Sequence, residues 1–86
     1  MTMNPVSEIK RLIVRALAAA EGVPVPDSLV DTWCLDRLWP RPLLSDVHLG
    51  KRELEADGFI IGAVDDLDGG VMWTLTVKGR LRGKQL

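Results

Sequence analysis

Apolar residues recur in the first quarter of the chain at Ile9, Leu12, Ile13, Ala16, Leu17 and Ala20, which is the spacing of one helical face. The pattern predicts a helix from Pro5 to about Glu21. Asn4 is a good N-cap, and Pro5 fits the first helical position, where its missing N–H costs nothing. Glu8 complements the positive end of the helix, and Gly22 is the expected stop. Lys10, Arg11 and Arg15 fall outside the stripe and are expected in solvent.

Val23-Pro24-Val25-Pro26 cannot continue a helix, because each proline removes a donor and pushes its predecessor toward extended geometry. At most two residues of strand pairing fit there. A second helix follows from Ser28 to about Leu38, capped by Asp27, with Leu29, Val30, Trp33, Cys34 and Leu38 as its apolar face and Asp31 and Asp36 outside it. Trp39-Pro40-Arg41-Pro42 then forms a stiff elbow. Either it presents Trp39 and Arg41 to a partner, or Trp39 covers one end of the core. The second reading is preferred, since large aromatics are usually well buried.

A third helix begins between Leu43 and Ser45 and ends at Asp57, with Gly58 as its stop and Leu44, Val47 and Leu54 as its buried stripe. Gly50 or Lys51 stands where a large apolar residue would complete that stripe. Either the backbone at Gly50 approaches another element closely, or a tryptophan of the second helix fills the gap; the latter is preferred. Phe59 to Asp65 reads as a strand, and Asp65-Asp66-Leu67-Asp68-Gly69-Gly70 as a hairpin tip whose glycines supply positive φ. On the return strand Val71, Trp73 and Leu75 share one face. Thr76 is placed to cap a last turn from Val77 to Leu81, and Gly83 to Leu86 are expected to fray. The expected architecture is mainly α, with three helices and a two-stranded antiparallel hairpin over residues 1–86 as a single domain. Ile13, Leu17, Val30, Trp33, Val47, Leu54, Phe59, Trp73 and Leu75 are its expected core.

Composition agrees: 86 residues with 47% hydrophobic and 27% charged positions suit one small folded domain. The net charge of −1 hides an uneven distribution. Residues 1–26 hold three cations and two acids, residues 27–68 four cations and ten acids, and residues 69–86 four cations and no acid. The ends are basic and the middle is acidic. One cysteine forms no internal disulfide, which points to a reducing cytoplasm. No apolar run is long enough to span a bilayer, and Met1-Thr2-Met3-Asn4-Pro5 lacks the apolar core of a signal peptide.

Little in the chain points to catalysis. One histidine, His48, and one cysteine, Cys34, cannot assemble a metal-ligand cluster, and no cofactor motif is present. A Cys34–His48 nucleophile pair is conceivable between packed helices. Against it, a thiol on an apolar helix face is normally inert.

Leu54-Glu55-Ala56-Asp57-Gly58-Phe59-Ile60 and Trp73-Thr74-Leu75-Thr76-Val77-Lys78-Gly79-Arg80, in this order of elements, resemble the end of the recognition helix and the second wing strand of winged helix-turn-helix proteins. The small size is similar to short winged-helix proteins of Mu-like prophages. The resemblance implies a small bacterial or prophage transcriptional regulator that binds double-stranded DNA without a cofactor. Ser45, Asp46, His48, Leu49, Lys51 and Arg52 would then lie on or near the groove-facing side of the third helix. Lys51 and Arg52 would reach phosphate or a guanine edge, Ser45 and His48 would hydrogen-bond a base or phosphate, and Arg41 would assist from the elbow. The chain departs from that pattern at Lys51, a position usually apolar, which offers the alternative that Lys51 is half buried rather than on the groove, and at the wing tip, where three aspartates replace the usual cations. The acidic wing favours an alternative: a winged helix used for protein interaction or dimerisation. A homodimer using helix 1 or Trp39 is a further expectation.

Overall fold

Asn4 has extended backbone (φ −70°, ψ 116°), and its Oδ1 accepts the Val6 amide at 3.0 Å, which starts helix α1 at Pro5–Ala19. The structure, a computed structural model, describes residues 4–85. The Met1 to Met3 part of the segment read as no signal peptide and the Leu86 end of the fraying expected from Gly83 fall outside those residues, and Gly83 itself is helical rather than frayed. Helix α1 ends two residues before the expected point, where Glu21 and Gly22 take φ of 53° and 86°. Strand β1, Val25–Pro26, leads into α2, Asp27–Arg37. After the elbow come α3 at Leu44–Ala56, β2 at Ile60–Val64, β3 at Val71–Leu75 and α4 at Val77–Gly83. The expected three helices and two strands become four and three.

Each addition has an identifiable cause. Val25 pairs with Trp73 and Pro26 with Met72, so these two residues after Pro24 add a third antiparallel strand in the order β1-β3-β2. Thr76 Oγ1 accepts the Gly79 amide at 3.1 Å and donates to the Gly58 carbonyl, so the turn after β3 grows into α4. The hairpin register runs from Ile60 opposite Leu75 to Val64 opposite Val71. At the tip Asp65 accepts the Leu67 amide at 2.8 Å and Asp68 the Gly70 amide at 2.7 Å. Of the two tip glycines, Gly69 alone has positive φ, at 75°. The wing acids therefore build the turn, which is the local side-chain bonding that suits aspartate to tight returns.

The core gathers Ile9, Ile13, Val14 and Leu17 from α1, Val30 and Cys34 from α2, and Val47 and Leu54 from α3. Val25, Ile60, Trp73 and Leu75 complete it from the sheet. Trp33 and Phe59, expected inside, are half-buried at its margin. Each carries a cation on its open face: Arg37 lies 5.7 Å from the Trp33 ring and Lys78 Nζ 4.4 Å from that of Phe59. Leu44 is exposed rather than part of the buried stripe. Val14 is buried because α4 covers a second side of α1, with the Gly83 backbone against it.

Two glycines mark close approaches. A Cβ on Gly50 would stand 2.9 Å from Ile9 Cγ2, so α1 crosses α3 backbone-close at that point and no tryptophan fills the gap. This corrects the preferred reading of Gly50. A Cβ on Gly79 would collide with the Phe59 carbonyl oxygen, which pins α4 to the start of β2.

Leu54→Ala is expected to cost about 2–5 kcal/mol, because it empties a site under the junction of α3 and the wing. Gly79→Ala is expected to destabilise by about 1–3 kcal/mol or more, although alanine is the better helix former, because the obstacle is backbone. Urea unfolding of each variant measures both. A Gly79→Ala protein as stable as the parent would show that α4 is not held against Phe59.

Candidate functional site

Lys51 sits at the centre of the arrangement. Its position in the middle of α3, on the side facing α2, turns it inward, and its side chain is only 6% exposed. The ammonium donates to Asp27 Oδ1 at 2.7 Å and to Asp31 Oδ1 at 2.6 Å. The same Asp27 oxygen accepts the Trp73 indole N–H at 2.7 Å. One lysine thus joins α2, α3 and β3. Asp27 does not cap α2, as its position suggests; Pro26 stands at the N-cap with no side-chain bond. Asp31, expected outside the apolar face, is turned toward α3. On Asp27, burial pushes the carboxyl pKa up, but the hydrogen bonds from Lys51 and Trp73 and the Lys51 charge outweigh it and hold the group below its ordinary value.

With Lys51 engaged inside, the outward side of α3 is left to Ser45, His48, Leu49, Arg52 and Glu55, all exposed. Their spacing of three, four and seven makes one continuous strip. His48 lies at its inner edge, Nε2 3.8 Å from Asp31 Oδ2. Asp46 is half-buried at the start of the helix. A cleft of about 330 Å³ runs beside the strip, lined by His48, Arg52 and Glu55 with Asp27, Lys51, Val71 and Trp73. Of the residues singled out from sequence, Ser45, His48 and Arg52 are brought together, Arg41 stands exposed on the elbow, and Lys51 is withdrawn. The withdrawn ammonium is matched by two carboxylates of α2, which offset the cost of removing it from water.

The paired cations of the chain ends do not converge on the exposed strip of α3. Lys10 pairs with Glu53 at 2.9 Å and Arg11 with Glu8 at 3.2 Å. Lys78 donates to the Asp57 carbonyl at 2.6 Å, at the end of α3. Arg80 and Lys84 line a cleft of about 430 Å³ against Leu17 and Glu21, between α1 and α4. At the wing tip Asp65 and Asp68 border a second cleft with Asp27 and Ser28. The elbow holds the largest surprise. Trp39 is 92% exposed and covers no part of the core. Pro40, Pro42, Leu38 and Leu43 surround it, with Pro5 of α1 beside them. The preferred sequence reading of Trp39 is therefore reversed, and nothing in the local pattern announces it.

The Cys34 thiol is fully buried, and burial first, then the Asp31 charge, pushes its pKa up to about 11. Held protonated by burial, it has the character of an inert core thiol and gives the Cys34–His48 pair no support. Among the described residues no three His, Cys, Asp or Glu side chains stand together as a metal site, and no helix is long and apolar enough to cross a membrane.

Lys51→Met is expected to lower stability at pH 7 by about 2–3 kcal/mol, below the range for fully buried pairs because both carboxylates keep some solvent. The depressed Asp27 pKa means that its contribution is complete above the usual carboxylate range near 3.8 and is lost as pH falls through the folded value. The deficit of Lys51→Met should accordingly narrow toward pH 3, where unpaired carboxyls become neutral. Urea melts of both proteins at pH 7 and pH 3 check the sign. A deficit that widened in acid would contradict the arrangement.

No family model and no curated protein matches the chain. Among solved structures the chain is similar to a mutant of Lactococcus lactis ZitR in its apo form, with a TM-score of 0.73 and 16% sequence identity. The match covers 93% of this chain and 55% of that one, so this chain spans about half the length of its structural neighbour. The likeness is one of fold. Four helices and a three-stranded antiparallel sheet, with an acid-tipped hairpin before the last helix, are compatible with a winged helix.

Proposed function

We propose that this domain is a small transcriptional regulator that binds double-stranded DNA through the exposed strip of α3. The carrying observation is the continuous face of Ser45, His48, Leu49 and Arg52 on a helix whose other cation is held inside. A helix of this kind, braced by a wing, has the width to enter a major groove. Arg52 is the residue suited to a guanine edge or phosphate, Ser45 and His48 hydrogen-bond, and Leu49 offers apolar contact to a thymine methyl. Arg41 reaches a flanking phosphate from the elbow. Origin in a bacterium or prophage belongs to the same reading and rests on the resemblance in sequence pattern.

The charge layout sets the strength of that contact. Few cations face the same way as α3, so few phosphates are neutralised, and the wing tip repels the backbone it would approach. Binding is therefore weak at physiological salt. A second reading is favoured by one observation: Trp39, 92% exposed among prolines, with an acidic wing, suits a protein partner better than a phosphate backbone.

Titration of mixed duplex fragments by fluorescence anisotropy at low salt separates the two readings. DNA binding predicts a log–log salt slope of only about −2 to −3, at roughly −0.9 per phosphate. Arg52→Ala should weaken binding. Changing Asp65, Asp66 and Asp68 together to asparagine should strengthen it, since asparagine keeps the oxygen acceptor of the turn and removes the charge. No binding by the parent or the triple variant would remove the DNA reading and leave the protein-interaction one.

A further inference from the structure

The sheet has two edges, and they are treated differently. The β1 edge is two residues long and contains a proline, which are devices that prevent further strand pairing. The β2 edge has neither. From Gly58 to Val64 it carries no charge and no proline, and Ile61 and Val64 are 57% and 66% exposed. Its hydrogen-bonding direction can be read from the ends of the ladder. Thr76 N–H donates to the Phe59 carbonyl at 3.0 Å and Asp65 N–H to the Gly70 carbonyl at 2.7 Å. Antiparallel pairs alternate, so Phe59, Ile61, Ala63 and Asp65 bond inward to β3. The amides and carbonyls of Ile60, Gly62 and Val64 therefore point out from the free edge.

We propose that β2 pairs antiparallel with β2 of a second copy of this chain, about a two-fold axis at Gly62, to make a continuous six-stranded sheet. In that register the outward-facing residues meet one another: Gly62 opposite Gly62, and Ile60 opposite Val64 on either side. Ile61 then neighbours Ala63 on the solvent face of the sheet. The segment is self-complementary in size and polarity, as an isologous interface requires. The ends agree in charge as well. Asp65 of one copy falls beside Phe59 of the other, whose ring carries the Lys78 ammonium, and Asp66 beside Gly58. The acidic wing tip of each copy thus meets a cation of its partner. A charged peptide or DNA finds no matching charge along this uncharged edge. Helix α1, expected as a dimer face, is already occupied by α3 and α4.

Five-residue strands bury little area, so the dimer is weak, with a dissociation constant on the order of 100 µM. Sedimentation of the full chain from about 10 µM to 1 mM, with amide hydrogen exchange at both extremes, tests it. The proposal expects a dimer at the upper end and protection of the Ile60, Gly62 and Val64 amides that grows with concentration. Ile61→Lys, at an exposed site, should raise the dissociation constant at least about tenfold without changing the thermal melt of the monomer. Trp39→Ala should leave dimerisation unchanged. A monomer throughout the range would overturn the proposal. So would a dimer in which those three amides exchange freely, or one lost with Trp39→Ala and kept with Ile61→Lys. The exchange measurement on the parent protein decides even if Ile61→Lys fails to fold.

Discussion

A lysine ammonium withdrawn from water must be matched by anions, and Lys51 is matched by two. That requirement ties Asp27 and Asp31 of α2 to α3, and through the shared Asp27 oxygen it ties both to the indole of Trp73. The angle at which α3 is presented follows from these bonds together with the close crossing of Ile9 over Gly50. A buried ion pair is not in itself a large source of stability, because desolvation offsets most of the attraction. Its effect is geometric. Apolar contacts among Val47, Leu54 and Ile13 would tolerate rotation of α3 by some degrees, whereas an ammonium between two carboxylates tolerates little.

The consequence reaches the surface. Because Lys51 is turned inward, the outward strip of α3 shows one guanidinium, one imidazole, one hydroxyl and the Glu55 carboxylate. Recognition by such a face rests on the placement of a few groups rather than on accumulated charge. The acids follow the same logic. Asp65 and Asp68 close the wing turn through their own backbone neighbours, and Asp27 and Asp31 hold the lysine, so much of the negative middle segment is structural. Among the cations of the two chain ends, Lys10 and Arg11 pair with Glu53 and Glu8, and Lys78 covers the Phe59 ring and the Asp57 carbonyl.

What the sequence revealed depended on how local the cause was. The α1 periodicity, the Asn4 cap, the Gly58 stop and the β2–β3 hairpin are written in neighbouring residues and were legible there. Leu54, Val47, Trp73 and Leu75 were found for the same reason. Non-local pairings were less so. The segment Val23 to Pro26 allowed two residues of strand pairing without naming β3 as the partner, and an aspartate preceding a helix looks like a cap until its distant partners are known. Gly50 signalled a close approach, but not which helix came near. Trp39 misled most: composition favours burial for tryptophan, and only the three-dimensional course of the elbow leaves it outside. On α3 the exposure of Ser45, His48 and Arg52 was legible from helical position, whereas the full burial of Lys51 depended on carboxylates 20 and 24 residues earlier.

The most direct test of the account is to ask which amides sense a duplex. Backbone amide shifts recorded by NMR while a short duplex is added at low salt report this residue by residue. The account predicts that the perturbed set is Ser45, His48, Leu49 and Arg52, with Arg41 at its margin and Lys51 shifted little. Perturbations confined to the Trp39 elbow or the wing tip, with the α3 strip unchanged, would contradict it.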